Sequence, residues 1–169
     1  LRVDRGTPVF SDPTVGTNPL FPVDQITSYL QLGTVDGQPF RAEVTLLPTT
    51  RLITWNGQQV EVVESQYMAF LGRRIEETAI DWYAQADDGS VWYLGEDVFN
   101  YAAGVVADRD GTWQAGRDGT GAMIMPGNPA VGNVYRPENI CGLVFEEVTV
   151  KVTGLTVNGP SGPVNGAIQ

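Results

Sequence analysis

The sequence contains no histidine and a single cysteine, Cys141. Without histidine the chain lacks the commonest general base, so neither a Ser-His-Asp nor a Cys-His nucleophile can form within it. Zinc, copper and haem sites of the usual kinds are disfavoured for the same reason. A single cysteine excludes an intramolecular disulfide. Its apolar neighbours, NI before it and GLVF after it, predict a buried small side chain rather than a nucleophile.

Basic residues are scarce as well. Ten lysine and arginine residues stand against twenty aspartate and glutamate residues, and the net charge is −10. Such a charge disfavours nucleic acid and anionic membrane surfaces as partners. No apolar run approaches the length of a membrane span, so none is predicted. The acidic residues are concentrated in residues 76–118, which hold ten of them and two arginines.

What the sequence has in abundance are signals for β-structure. The segments RAEVTLL and EVTVKVT alternate apolar and polar residues, as strands with one buried face do. Asn-Gly and Asp-Gly pairs, which suit tight hairpin turns, recur along the chain, and no helical stripe of ten residues is present. We therefore predict an all-β fold in which an antiparallel meander forms a curved sheet, a sandwich or an open barrel, with long ordered loops.

The length of 169 residues predicts one domain. Residues 1–23 are rich in proline and are interpreted as an extended arm, which either follows the surface of its own chain or adds a strand to a neighbour. Residues 24–169 form the single β domain. Within it, residues 95–142 are predicted to be rich in loops, with a short helical turn near residues 95–102. The ending VNGPSGPVNGAIQ is typical of the start of a strand and suggests a truncated C-terminus.

Strand 74–86 carries the acidic residues with the clearest pattern. Glu77, Asp81 and Tyr83 project to one face and Trp82 to the other. Carboxylates four residues apart on a strand are separated by roughly 13 Å, which exceeds the spacing of glycosidase pairs. A catalytic pair would therefore need a partner from another segment, and the alternative is that these carboxylates are solvent-facing or structural.

The aromatic residues near the same acids suggest a binding site. Trp82 and Tyr83 point to opposite faces, as do Trp92 and Tyr93, so one member of each pair can remain accessible. Accessible rings beside carboxylates stack on sugars or hold cationic groups, whereas rings covered by loops would form a second small core. The predicted ligand-binding residues are Asp81, Tyr83, Trp92, Glu96, Trp113, Tyr135 and Glu138.

Two acidic turns resemble the start of a calcium loop. DRDG at 108–111 and DDG at 87–89 have the opening residues, but neither is followed by the later acidic ligands. Hairpin turn chemistry explains both turns, and calcium remains the alternative cofactor.

The run DWYAQADDGSVWYLGED, followed by GTWQAGRDGTGAMIMPGNPAVGNVYRPE, resembles a family of uncharacterised secreted or lipoprotein-type bacterial proteins. Their signature reads DWYAQD-x-DGNVWYFGE, then W-x-AG-x-DGA, then MP-x-NP-x-VGD-x-YRQE. The match covers residues 77–138, with departures at Leu94, Asn133 and Pro137, and the family's Gly-x-Ala-Glu-Asp stretch is replaced by ICGLVFEE. The resemblance implies an extracellular, periplasmic or cell-surface protein and brings no activity with it.

Three functions follow as hypotheses. The first is an exported, non-catalytic structural or binding module, which self-associates or binds another envelope or extracellular protein. The second is a carbohydrate or small-ligand binding protein, with or without calcium. The third is a carboxylate-based hydrolase that uses Glu77, Asp81, Glu96 or Glu138.

Overall fold

The structure, a computed structural model, describes residues 1–169. It confirms the all-β prediction, since every regular element is a strand. The long strands are β1 (Ser28–Val35), β2 (Gln38–Trp55), β3 (Gln58–Leu71), β4 (Arg74–Gln85) and β5 (Val91–Ala102). The shorter ones are β6 (Val105–Asp108), β7 (Trp113–Gln114), β8 (Ala122–Met125), β9 (Val134–Tyr135), β10 (Asn139–Ile140), β11 (Val144–Phe145), β12 (Val148–Thr149), β13 (Leu155–Gly159) and β14 (Gly162–Ala167).

The main sheet is an antiparallel meander in the order β1 to β6, and β7 and β8 also pair with β5. The sheet does not close on itself, so β1 is an edge strand. The predicted helical turn near residues 95–102 is wrong, because these residues continue β5. Cross-strand pairing with β4 on one side and with β6 and β7 on the other satisfies their backbone groups without a helix.

The hairpin turns are set by residues with positive φ. Asp36-Gly37 has φ values of 50° and 75°, and Asn56-Gly57 has values of 51° and 75°, as the sequence pairs indicate. The turns after β3 and β5 use Gly72-Arg73 and Ala103-Gly104, with one non-glycine residue in the left-handed region in each. These two turns lack the Asn-Gly or Asp-Gly signal, so the sequence pattern did not mark them.

The two faces of the sheet differ in what covers them. Directly paired residues place Tyr29, Val44, Tyr67, Ala79 and Val98 in one row across β1 to β5, and we call this side the groove face. The opposite face carries most of the core, which the later chain covers. Its buried members include Ile53, Trp55, Val60, Val62, Trp92, Leu94, Met123, Ile140 and Val150.

Residues 1–27 contain no strand and run along the end of the β4–β5 hairpin. The backbone of Gln85 donates to Pro13 O at 2.8 Å, and Asn18 is 2% exposed. The Asn18 side chain donates to Gly89 O at 2.9 Å and to Pro126 O at 3.0 Å, and its backbone N–H donates to Gln85 Oε1 at 2.8 Å. One side chain thus joins the arm, the β4–β5 turn and the later loop.

The later part of the chain contains the exposed Cys141 and a separate C-terminal hairpin. Cys141 is exposed in the turn between β10 and β11, so the prediction of a buried side chain is wrong. The prediction relied on the apolar neighbours of Cys141, but these neighbours differ in burial: Ile140 is buried and Leu143 is exposed. The last two strands, β13 and β14, form a separate hairpin.

Candidate functional site

A β-bulge between β4 and β5 arranges the site. Asp81 pairs with Glu96 and Tyr83 with Tyr93, so two residues of β5 lie opposite Trp82 alone. In a regular strand Tyr93 and Glu96 would point to opposite faces, because they are three residues apart. The extra residue turns Glu96 onto the groove face beside Asp81.

Gly95 makes the bulge feasible. Its φ is 128°, in the region that favours glycine, and a Cβ at this position would lie 2.3 Å from Trp113 O. The close approach lets β7 pair with β5 at Gly95 and Glu96. A single glycine therefore determines both the direction of Glu96 and the position of Trp113.

Aromatic rings pack around the buried Asp81 carboxylate. Tyr83 stacks on Tyr93 at 4.9 Å between ring centroids, and Trp113 meets Tyr93 edge-on at 5.3 Å. The Tyr93 hydroxyl donates to Asp81 Oδ1 at 2.8 Å. From the arm, Phe21 packs edge-on against Tyr83 at 5.1 Å. The rings exclude water from one side of the carboxylate, and Asp81 is 8% exposed.

Four carboxyl groups lie within electrostatic range of one another here. The pKa of Asp81 is raised to about 7. Burial is the main cause, the Glu77 charge acts in the same direction, and the Tyr93 hydrogen bond opposes both. Burial, with the charges of Asp81 and Glu138, raises the pKa of Glu96 to about 8. Burial also raises the pKa of Glu77 and of Glu138. Glu138 accepts a hydrogen bond from Trp113 Nε1 at 3.3 Å. Ionisation of all four groups is therefore disfavoured in this setting without a counter-charge.

The groove face forms an apolar groove that reaches the buried Asp81 carboxyl group. A cavity of about 500 Å³ lies between the arm, which contributes Phe21 and its neighbours, and the strands, and Asp81 lines it. Its ring-bearing walls are Tyr29, Tyr67 and Tyr83. Tyr67 also lines a second cavity of about 400 Å³, which Glu77 borders. The groove thus combines apolar walls with a few polar groups, as ligand sites do.

The structure brings together most of the sequence-predicted binding residues. Asp81, Tyr83, Glu96, Trp113 and Glu138 belong to the cluster described above, although Trp113 is fully buried.

Two of the predicted residues lie elsewhere. Trp92 projects to the opposite face, where its ring centroid lies 5.4 Å from that of Trp55, and Tyr135 is buried in the core. Tyr29, Tyr67 and Tyr93 were not among the predicted residues. Only the strand register, which puts Tyr29 and Tyr67 in one row, could have indicated the first two.

The acidic turns that suggested calcium are occupied by local hydrogen bonds. Asp108 Oδ1 accepts from Asn100 Nδ2 at 2.7 Å and from the Asp110 backbone at 3.1 Å. Asp88 Oδ1 accepts from the Ser90 backbone at 2.9 Å. Nowhere in the chain do three or more histidine, cysteine, aspartate or glutamate side chains meet in a way that could hold a metal ion.

No protein-family model, curated protein or solved structure gives a significant match to this chain. The chain also forms no helix of the length and apolar character needed to cross a membrane. The resemblance to secreted bacterial proteins therefore stays a prediction from the quoted motifs.

Proposed function

We propose that the protein is a non-catalytic binding module whose groove takes a small organic cation with an apolar body. One observation carries the proposal: the apolar groove is lined by the buried Asp81 carboxyl group, which lies within electrostatic range of Glu77, Glu96 and Glu138. The apolar part of the ligand would lie between the arm and strands β1 to β3. Its charged end would lie against the acids.

The electrostatics favour a cation over a neutral ligand. The pKa values of Asp81, Glu96 and Glu138 are raised because burial and the neighbouring charges disfavour the ionised form. A bound cation would offset that penalty and allow the acids to ionise. The tyrosine rings that line the groove present faces of negative potential, which attract ammonium groups.

The same pKa values favour binding over hydrolysis. A glycosidase-type pair needs one protonated and one ionised carboxyl group at working pH. Burial raises the pKa of Asp81 to about 7 and that of Glu96 to about 8, so below pH 7 both groups are largely protonated and the pair has no ionised member. The carbohydrate hypothesis relied on Tyr83, Trp92 and Trp113, and of these rings Trp92 and Trp113 are buried. We therefore place the cation ahead of a glycan in this groove.

Calorimetric titration with butyltrimethylammonium tests the proposal. We expect saturable binding that releases protons and strengthens from pH 6 to pH 8.5, because the acids must ionise to hold the cation. Asp81→Asn should weaken binding about tenfold or more, equivalent to roughly 1.4 kcal/mol. Asp36→Asn, in the exposed β1–β2 turn, is the matched control and should bind as the native chain does.

A neutral analogue with carbon in place of the ammonium nitrogen completes the test. It should bind more weakly than the cation at pH 8.5. Equal binding of the two ligands, or binding unchanged in Asp81→Asn, would overturn the proposed role of the acids.

Assembly through β1 is the second candidate function. All eight residues of β1 are exposed, none is charged, and one edge of the strand has no partner. Such an edge is suited to pairing with a second copy of the chain or with another protein. A mass measurement on a variant with a charged β1, described in the Discussion, tests this candidate.

We also propose that the protein acts outside the cytoplasm, at the bacterial surface or in the periplasm. The resemblance of residues 77–138 to exported proteins supports this location. Recovery of the native protein from the cytoplasmic fraction of its cells would contradict it.

A further inference from the structure

A second, polar cavity lies on the other side of the sheet. It has a volume of about 250 Å³ and is bordered by Trp55 and Trp92 on the opposite face, by the start of the arm and by residues 120–123. Three of the ten basic residues of this acidic chain line it, namely Arg2, Arg5 and Arg136. It therefore differs in charge from the groove, which the Asp81 carboxyl group lines.

Two of these arginines are neutralised within the chain. Arg2 holds Asp4 through two hydrogen bonds of 2.6 and 2.7 Å, and Arg136 Nε donates to Glu147 Oε2 at 3.2 Å. Arg5 is exposed and forms no ion pair, whereas Asp4 and Glu147 are committed to the other two. One positive charge is thus left over at the mouth of the cavity.

Several hydrogen-bonding side chains that border the cavity also have no partner within the chain. Trp92 donates its indole N–H to Ser90 Oγ at 2.9 Å, but the indole N–H of Trp55 meets no acceptor, although Trp55 is 4% exposed. This nitrogen keeps some contact with solvent, because the one fully buried side-chain polar atom without a partner is Asp24 Oδ1 in the arm. The side chains of Asn56, Thr120 and Asn139 border the cavity and are likewise uncommitted. Asn56 and Thr120 are exposed and Asn139 is half-buried, so these side chains are free to bond to a ligand in the cavity.

We propose that this cavity binds a small hydroxylated carboxylate, of the chemical class of an acidic sugar. Its carboxylate would pair with Arg5, and its hydroxyl groups with the free amide and hydroxyl side chains and with the Trp55 N–H. The volume is below the ~300 Å³ at which sites for drug-sized ligands begin, so one sugar ring fits better than an oligosaccharide. The proposal does not depend on the groove.

Titration with glucuronate, glucose and acetate tests it by calorimetry and by the Trp55 indole N–H signal in nitrogen–proton NMR spectra. The signal is assigned with Trp55→Phe. We expect saturable glucuronate binding that shifts this signal, with glucose and acetate each binding at least about tenfold more weakly. Arg5→Gln should weaken glucuronate binding by a similar factor. Arg74→Gln, which removes another exposed arginine without an ion pair, should leave it unchanged.

The possible failures are distinct. No saturable binding, or equal binding in Arg5→Gln, would overturn the site. If glucose binds as tightly as glucuronate, the proposed role of the charge is overturned. If acetate binds as tightly as glucuronate, the proposed role of the hydroxyl groups is overturned. Binding of butyltrimethylammonium in the groove should be unaffected by Arg5→Gln, so the two sites are tested separately.

Discussion

Asp81 combines burial with a charge that the folded chain disfavours. Its pKa rises from 3.8 to about 7 on folding, chiefly because burial removes the carboxylate from water. Below pH 3.8 the group is protonated in both the folded and the unfolded chain. Above that pH the unfolded chain releases the proton while the folded chain retains it, so stability falls as the pH rises toward 7.

Asp81→Asn should therefore become more stable relative to the native chain as the pH rises from 4 to 8. The neutral amide can still accept the Tyr93 hydrogen bond but has no charge to bury. We expect a gain on the order of 3 kcal/mol at pH 8 and little difference at pH 4. Denaturant unfolding at a series of pH values measures this gain.

The control for this series is Asp36→Asn, whose difference from the native chain should not follow the same pH course. A native chain that gains stability over Asp81→Asn between pH 4 and pH 8 would contradict the argument. The same substitution is expected to weaken cation binding, so the site would hold its acids at a cost in stability.

The residues of the cluster could be predicted in part from the sequence. Acidic and aromatic residues concentrate in residues 76–118, and alternation along β4 placed Asp81 and Tyr83 together. The direction of Glu96 could not be predicted, because it depends on the extra residue that Gly95 permits. Alternation also could not tell Trp92 from Tyr93, since both faces of the sheet are covered at that point and both residues are buried.

Among the elements, β1 is the one least protected from other chains. Its eight residues pair with β2 without a bulge, and Leu30 and Leu32 are exposed by 55% and 75%. Natural edge strands are usually interrupted by a charge, a proline or a bulge, and β1 has none of these.

Leu32→Lys should therefore reduce self-association, because it places a charge in the middle of the edge. We expect the native chain to form dimers or larger species as its concentration rises, and the variant to do so only at a concentration about tenfold higher. Sedimentation equilibrium measures both. Val157→Lys, on exposed β13, is the control and should associate as the native chain does. A native chain that stays monomeric at high concentration would count against assembly through β1.

The hairpins show which elements the sequence encodes locally. The turns at Asp36-Gly37 and Asn56-Gly57 could be predicted from the sequence because Asn, Asp and glycine tolerate positive φ. The turn at Ala103-Gly104 was not, since alanine gives no such signal. A short helical turn was the prediction for the stretch that follows Gly95, whereas this glycine serves a bulge within one long strand.

At the scale of the whole molecule, the strand order of the meander could be predicted from the sequence. The segments that cover the two faces of the sheet could not. Alternating residues and turn pairs are local, so they predict neighbouring strands in chain order. The path of residues 1–27, which closes one side of the groove, rests chiefly on contacts with residues 85–136. No periodicity in the arm indicates these partners.

The hydrogen bonds of Asn18 also bear on the order in which the molecule folds. They join residues separated by 67, 71 and 108 positions, whereas each hairpin of the meander joins neighbours in the chain. Closing such long loops costs entropy that nearby hairpins avoid, so the arm is expected to dock after the rate-limiting step of folding. Contacts formed that late act mainly on the unfolding rate. Asn18 would then govern how long the native state persists rather than how fast it forms, and the lifetime of the groove would be the lifetime of the arm's attachment.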